Sequence, residues 1–90
     1  MGESEEILRV SGNSPAEKLA AAISHHVYDG KRIALRAIGA GAVNQAMKAV
    51  AIARGYVAPR GIDLSVVPGF VDVEMPDRNV TAMLFRVLAE

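Results

Sequence analysis

The spacing of apolar residues changes period along this chain, and that change constrains the fold more than any single motif. Ala16, Leu19, Ala20, Ile23 and Val27 recur at the spacing of one helix face. Beyond Asp29-Gly30, which ends that helix, Ile33, Leu35 and Ala37 alternate with Arg32, Ala34 and Arg36, the period of a strand with one face in a core. An Ala-rich helical stretch runs from Ala42 to Arg54, and alternation returns in Ile62, Leu64 and Val66 and again in Val71 and Val73. The last run carries Val80, Leu84 and Leu88 on one face and Met83, Phe85 and Val87 on the other, so it is expected to be covered on two sides. With Ile7 to Val10 as an opening strand, the order reads β-α-β-α-β-β. Right-handed crossovers send both helices to the same side of a sheet. The expected fold is therefore α/β in two layers, a four-stranded mixed sheet with two helices on one face. The other sheet face is left open or used for assembly.

Local signals punctuate this order. Ser14-Pro15-Ala16-Glu17 offers a capping serine, proline at the first helical position and glutamate three residues after the cap. Gly39-Ala40-Gly41 breaks the second strand, and Gly55 is the expected left-handed stop of the second helix. Pro68-Gly69 reads as a bulge in an edge strand, where proline is tolerated, and residues 75–79 read as a polar hairpin tip. No linker or repeat divides the 90 residues. They are read as one domain, 1–90, with a radius of gyration of roughly 12 Å.

Composition removes several functions. The chain has no cysteine, hence no disulfide, thiolate nucleophile or zinc-thiolate site, and a reducing cytoplasm is the expected compartment. Glu3, Glu5 and Glu6 stand where a signal peptide needs positive charge, and Glu6 also stands where a myristoylation signal at Gly2 needs Ser or Thr. No apolar run approaches the roughly 18 residues of a membrane span, so no membrane partner is expected. Serines 4, 11, 14, 24 and 65 have only His25 and His26 as possible bases, and adjacent side chains point about 100° apart on a helix. That pair also lacks the spacing of metal ligands. Asp63, Asp72, Glu74 and Asp77 read as the solvated alternation of an edge strand. No catalytic residue, metal or cofactor is expected: Asn44 replaces the third glycine of a dinucleotide fingerprint, and no Gly-Lys-Ser/Thr sequence follows.

Charge supplies the functional signal. The formal net charge of zero conceals thirds of −3, +6 and −3, and the middle third, residues 31–60, has no acid at all. Lys31, Arg32, Arg36, Lys48, Arg54 and Arg60 form the footprint of an anion or nucleic-acid binder, unless acids of the flanking thirds lie beside them. Gly39-Ala40-Gly41 ahead of a helix offers free amides to a phosphate. Asn44, Gln45 and Lys48 share one face of that helix, suited to a nucleic-acid backbone or simply to water. Arg9, Arg36 and Arg86 are expected on the open sheet face, paired with acids of the third strand. Two Tyr, two Phe and no Trp leave no stacking platform for bases, which favours backbone contact over base readout.

The run from Ala37 through Ile-Gly-Ala-Gly-Ala-Val-Asn-Gln-Ala-Met-Lys to Leu64 closely resembles the signature of the bacterial stage V sporulation protein S family. Ile7-Leu-Arg-Val-Ser11, Pro68-Gly-Phe70 and the closing apolar strand extend the likeness over nearly the whole chain. That family in turn is similar to the Alba group of nucleic-acid-binding proteins, and Ala42 to Arg54 resembles the Alba second-helix motif. The resemblance implies a dimer in which Gly39, Gly41, Asn44, Gln45 and Lys48 contact the backbone and Arg78, at the hairpin tip, reaches along a groove. The paired lysines of Alba proteins fall here on Asn13-Ser14, with Lys18 the nearest base, and the arginines of their second-helix loop fall on Gly39-Ala40-Gly41. Either weaker duplex DNA affinity than in that group or a different ligand is implied.

The sequence thus reads as a homodimeric, non-enzymatic nucleic-acid-binding protein with a regulatory role in sporulation or related development. Its expected contacts are Lys18, Gly39, Gly41, Asn44, Gln45, Lys48, Arg54, Arg60 and Arg78, on DNA or RNA. Assembly is expected through Val80 to Leu88 and the Ala-rich helix. Two other readings are a protein-interaction module whose Gly39–Lys48 surface holds a protein partner, and a small-ligand sensor with its anion site at the glycine loop.

Overall fold

Strand β1 (Glu5–Val10) pairs in parallel with β2 (Arg32–Ala37), and the antiparallel hairpin of β3 (Leu64–Glu74) and β4 (Asn79–Ala89) joins the sheet through β4. The resulting order is β1-β2-β4-β3. Helices α1 (Ala16–Tyr28) and α2 (Ala40–Val57) cover one face, and a short 3-10 turn (Ala58–Arg60) leads from α2 into β3. These elements come from a computed structural model that describes residues 5–90. Gly2, Glu3 and Ser4, on which the targeting and serine readings partly rest, lie outside the described residues.

The two central strands are those with the most apolar sequence. β2 turns Ile33, Leu35 and Ala37 into the core, and β4 turns Phe85 and Val87 there, with Met83 packed at its margin. Ile23, Ile33, Leu35 and Val57 are the largest side chains fully removed from water. α2 buries Ala42, Ala46, Ala49, Val50, Ala53 and Val57, mostly small residues that let α1 and the sheet approach closely. On α1 the buried residues are Ala20, Ile23 and Ser24, and the Ser24 hydroxyl donates to the Ala20 carbonyl at 2.9 Å.

Four local readings change. Ser14 does not cap α1: its Oγ accepts from the Ser11 N–H at 2.9 Å, closing a tight turn, and the first helical bond instead runs from Leu19 N–H to the Pro15 carbonyl at 3.1 Å. α2 does not stop at Gly55. It continues to Val57, which is fully buried, and the left-handed glycine is Gly61 after the 3-10 turn, with φ 75°. β3 contains no bulge, because its register with β4 runs without a slip from Leu64 opposite Ala89 to Glu74 opposite Asn79. Pro68 fits there since β3 is an edge strand, where a missing N–H can face solvent.

The fourth change concerns the open sheet face. Register places Arg9, Arg36 and Arg86 on it as expected, but Asp72 and Glu74 have the parity of Leu64 and Val66 and lie on the helix side. No acid ladder with β3 forms. Arg86 Nε donates instead to Glu5 Oε2 at 3.0 Å, reaching from β4 across β2 to β1.

Topology brings three turns to one end. β1 and β2 both run toward the helix starts, and β4, antiparallel to β2, begins at that same end, where Ala37 pairs with Met83. The β1–α1 turn, the start of α2 and the hairpin tip at residues 75–78 therefore cluster. β3 and β4 have 11 residues each against 6 in β1 and β2, so the hairpin extends beyond the helices. The radius of gyration, 13.1 Å, exceeds the compact expectation for that reason.

Candidate nucleic-acid interface

The site grows from the way α2 begins. Gly39 sits at its N-cap with φ 90°, a conformation that a side chain would strain, and it turns the chain sharply out of β2. The first helical hydrogen bond runs from Val43 N–H to the Gly39 carbonyl at 3.0 Å. The amides of Ala40, Gly41 and Ala42 precede that ladder and carry the positive end of the helix dipole. No acidic residue stands in the first turn to offset it.

Two contacts tie this helix start to the turn before α1. A Cβ placed on Gly41 would lie 3.5 Å from the Gly12 Cα, so the two backbones nearly touch. Gln45 Nε2 donates to the Ser14 carbonyl at 2.8 Å. Gln45 is half-buried and acts as a brace, whereas Asn44 and Lys48 are exposed on the outward stripe of α2. Lys18 is exposed in the first turn of α1. Arg78 is exposed at the hairpin tip, where the Met75 N–H donates to the Arg78 carbonyl at 2.7 Å.

The structure thus gathers Gly39, Gly41, Asn44, Gln45, Lys48, Lys18 and Arg78 toward one end. It places Arg54 and Arg60 at the other. Arg54 lies about 21 Å along the axis from Ala40, at 1.5 Å per residue. Arg54 Nε donates to Asp63 Oδ1 at 2.8 Å, and the Arg60 guanidinium stacks over the Tyr28 ring at 4.1 Å. The bond from Arg54, followed by one from the Leu64 N–H, holds the Asp63 carboxyl below its ordinary range, and Asp63 raises Arg54 in return. Arg54 thus ties the end of α2 to the residue before β3, and Arg60 ties the 3-10 turn to the end of α1.

Sequence spacing missed two contributors. Gly12 and Ser14 build the site's second wall through backbone atoms, which no side-chain pattern displays. Phe70 is 76% exposed on the helix side of the protruding hairpin. The bulge expected at Pro68-Gly69 hid its face, since only the unbroken register with β4 puts Phe70 on the side of Val66 and Pro68. Of the two histidines, His26 is held within its own helix, its Nδ1–H donating to the Ala22 carbonyl at 2.7 Å. Among the described residues no three side chains of metal-ligating type cluster, and no helix is long and apolar enough to cross a membrane.

A sequence model described as stage V sporulation protein S (SpoVS) matches residues 6–90. The chain belongs to that family. The SpoVS description ties it to sporulation. Alba from Thermoplasma volcanium has a similar structure, with a TM-score of 0.61 over 94% of this chain and 99% of that one, at 14% sequence identity. At that identity the likeness concerns the fold: SpoVS and Alba share the four-stranded mixed sheet and its two helices.

Proposed function

We propose that this SpoVS protein binds nucleic acid without catalysing a reaction, gripping the phosphate backbone, and that this binding regulates sporulation. The observation that carries the reading is the paired helix start: the amides of Ala40 and Gly41, exposed and ahead of the helical ladder, lie beside the Gly12 turn, with Asn44 and Lys48 following on α2 and Arg78 at the same end. Backbone amides, a helix dipole and a few exposed cations are the groups that position a phosphate chain without reading bases. Arg54 and Arg60 are assigned to the fold, since each is held by a neighbour. Anisotropy of labelled DNA and RNA across a salt series tests the reading, because release of counterions gives a slope near −0.9 per phosphate neutralised on duplex DNA.

A homodimer is part of this proposal, and its surface is drawn from exposed and half-buried apolar residues. Gln45 reaches the start of α1 and Arg54 reaches the start of β3, so the stripe of α2 that includes Val43 and Met47 flanks β3. Beyond it lie Pro68, Phe70 and Met83 on the helix side of the hairpin. The Ala-rich stripe is used up inside the protomer. Phe70 is the anchor, an aromatic side chain of large area held out in water.

A further inference from the structure

Arg9 and Arg36 are register partners on the parallel strands β1 and β2, so their Cα atoms lie about 4.8 Å apart and both side chains leave from the outer sheet face. Two like charges set side by side repel each other. Neither forms a hydrogen bond or ion pair with another described residue, since Glu5 is taken by Arg86 and the acids of β3 lie on the opposite face. Arg36 is also half-buried, which raises the cost of leaving its charge uncompensated. Both arginines line a cleft of about 390 Å³ together with Ser11, Gly12, Ile38 and Met75. That volume lies within the range of small-molecule sites.

We propose that this cleft binds a phosphate monoester, at a site that borders the start of α2 through Gly12 but holds its charges on the outer sheet face. Charge decides between ester types. A monoester carries about −1.5 to −2 near pH 7 and matches two guanidinium groups, whereas the single charge of a diester leaves one arginine uncompensated. Each guanidinium presents a planar fork of donors that fits phosphate oxygens. Ile38 and Met75, 39% and 38% exposed, supply an apolar wall for the organic group of the ester. The monoester belongs either to a free small molecule or to the 5′ end of a nucleic-acid strand.

The test is an NMR titration of the full chain with AMP, following the Arg9 and Arg36 Nε–Hε signals and the backbone amides. Saturating shifts of both arginine signals are expected, with affinity about tenfold weaker in R9Q and lost in R9Q/R36Q, while dimethyl phosphate binds at least about tenfold more weakly than AMP. R9Q/R36Q should melt no lower than the parent, because a repulsion is removed, and R9K/R36K keeps the charge while losing the forks and weakens AMP several-fold. Single strands with and without a 5′-phosphate separate the sources. A 5′-phosphate advantage that disappears in R9Q/R36Q assigns the strand end, and equal binding of both strands with AMP binding retained assigns a free monoester. Absence of saturable arginine shifts, AMP affinity unchanged in R9Q/R36Q, or shifts confined to the amides of residues 40–42 overturns the proposal.

Discussion

Gln45 donates from Nε2 to the Ser14 carbonyl at 2.8 Å, joining residues 31 positions apart and fixing the start of α2 against the start of α1. Together with the close approach of Gly12 and Gly41, this bond joins two helix N-termini into one surface. Gln45→Ala removes it and leaves a part-buried carbonyl without its partner, which should cost about 1 kcal/mol. For a chain of this size that corresponds to a melting temperature about 4–8 °C lower. The variant should also bind nucleic acid less tightly, since one of the two contacts that hold the helix starts together is lost.

The glycines of the same turn should separate stability from binding. Gly39, with φ 90° and ψ 160°, is strained by any side chain, so Gly39→Ala should destabilise by about 1–3 kcal/mol. Gly41 has ordinary helical geometry and its added Cβ would meet Gly12 at a tolerable 3.5 Å. Gly41→Ala should therefore melt at or above the parent, by up to about 0.5 kcal/mol of helix preference, yet weaken nucleic-acid binding because the methyl group fills the seam between Gly12 and Gly41. Thermal melts and anisotropy on the two variants check this opposition.

The Arg54–Asp63 pair predicts a direction of pH dependence. Asp63 is held below its ordinary value of 3.8 in the folded chain, chiefly by the Arg54 hydrogen bond. A depressed carboxyl contributes stability above its unfolded pKa and loses it as pH falls through the lower, folded pKa. Asp63→Asn should thus melt lower than the parent near pH 7, and the difference should shrink below about pH 4. Melting curves from pH 7 to pH 2.5 on both proteins provide the comparison.

Phe70 carries the prediction for assembly. Its ring is 76% exposed in the protomer, so Phe70→Asp removes little packing inside the fold. The parent should sediment as a dimer at micromolar concentration and the variant as a 9.5 kDa monomer with an unfolding temperature that no longer depends on concentration. A parent that sediments at 9.5 kDa contradicts the dimer.

Much of this architecture was legible because the period of the apolar residues changes where the elements change. Ile33, Leu35 and Ala37 alternate, and all three are buried. Gly55 misled because a helix can carry a glycine on its wet side when a residue beyond it, here Val57, has a core to fill. Ser14 misled because the Ser11 N–H competes for the same hydroxyl. Pro68 suggested a bulge, but an edge strand accommodates proline without one. At the candidate site Gly39, Gly41, Asn44 and Lys48 were legible together because they are consecutive turns of one helix. Counting charges grouped Arg54 and Arg60 with them, since a tally of cations along the chain does not show which end of a helix each one occupies.

The most direct measurement is fluorescence anisotropy of labelled duplex DNA, single-stranded DNA and RNA against the parent, K48E/R78E and R60Q from low to physiological salt. The account predicts saturable, salt-sensitive binding by the parent, loss of that binding in K48E/R78E, and binding by R60Q within about twofold of the parent, because Arg60 lies at the far end of α2. No saturable binding of any of the three nucleic acids by the parent, or equal affinity in K48E/R78E, would contradict it.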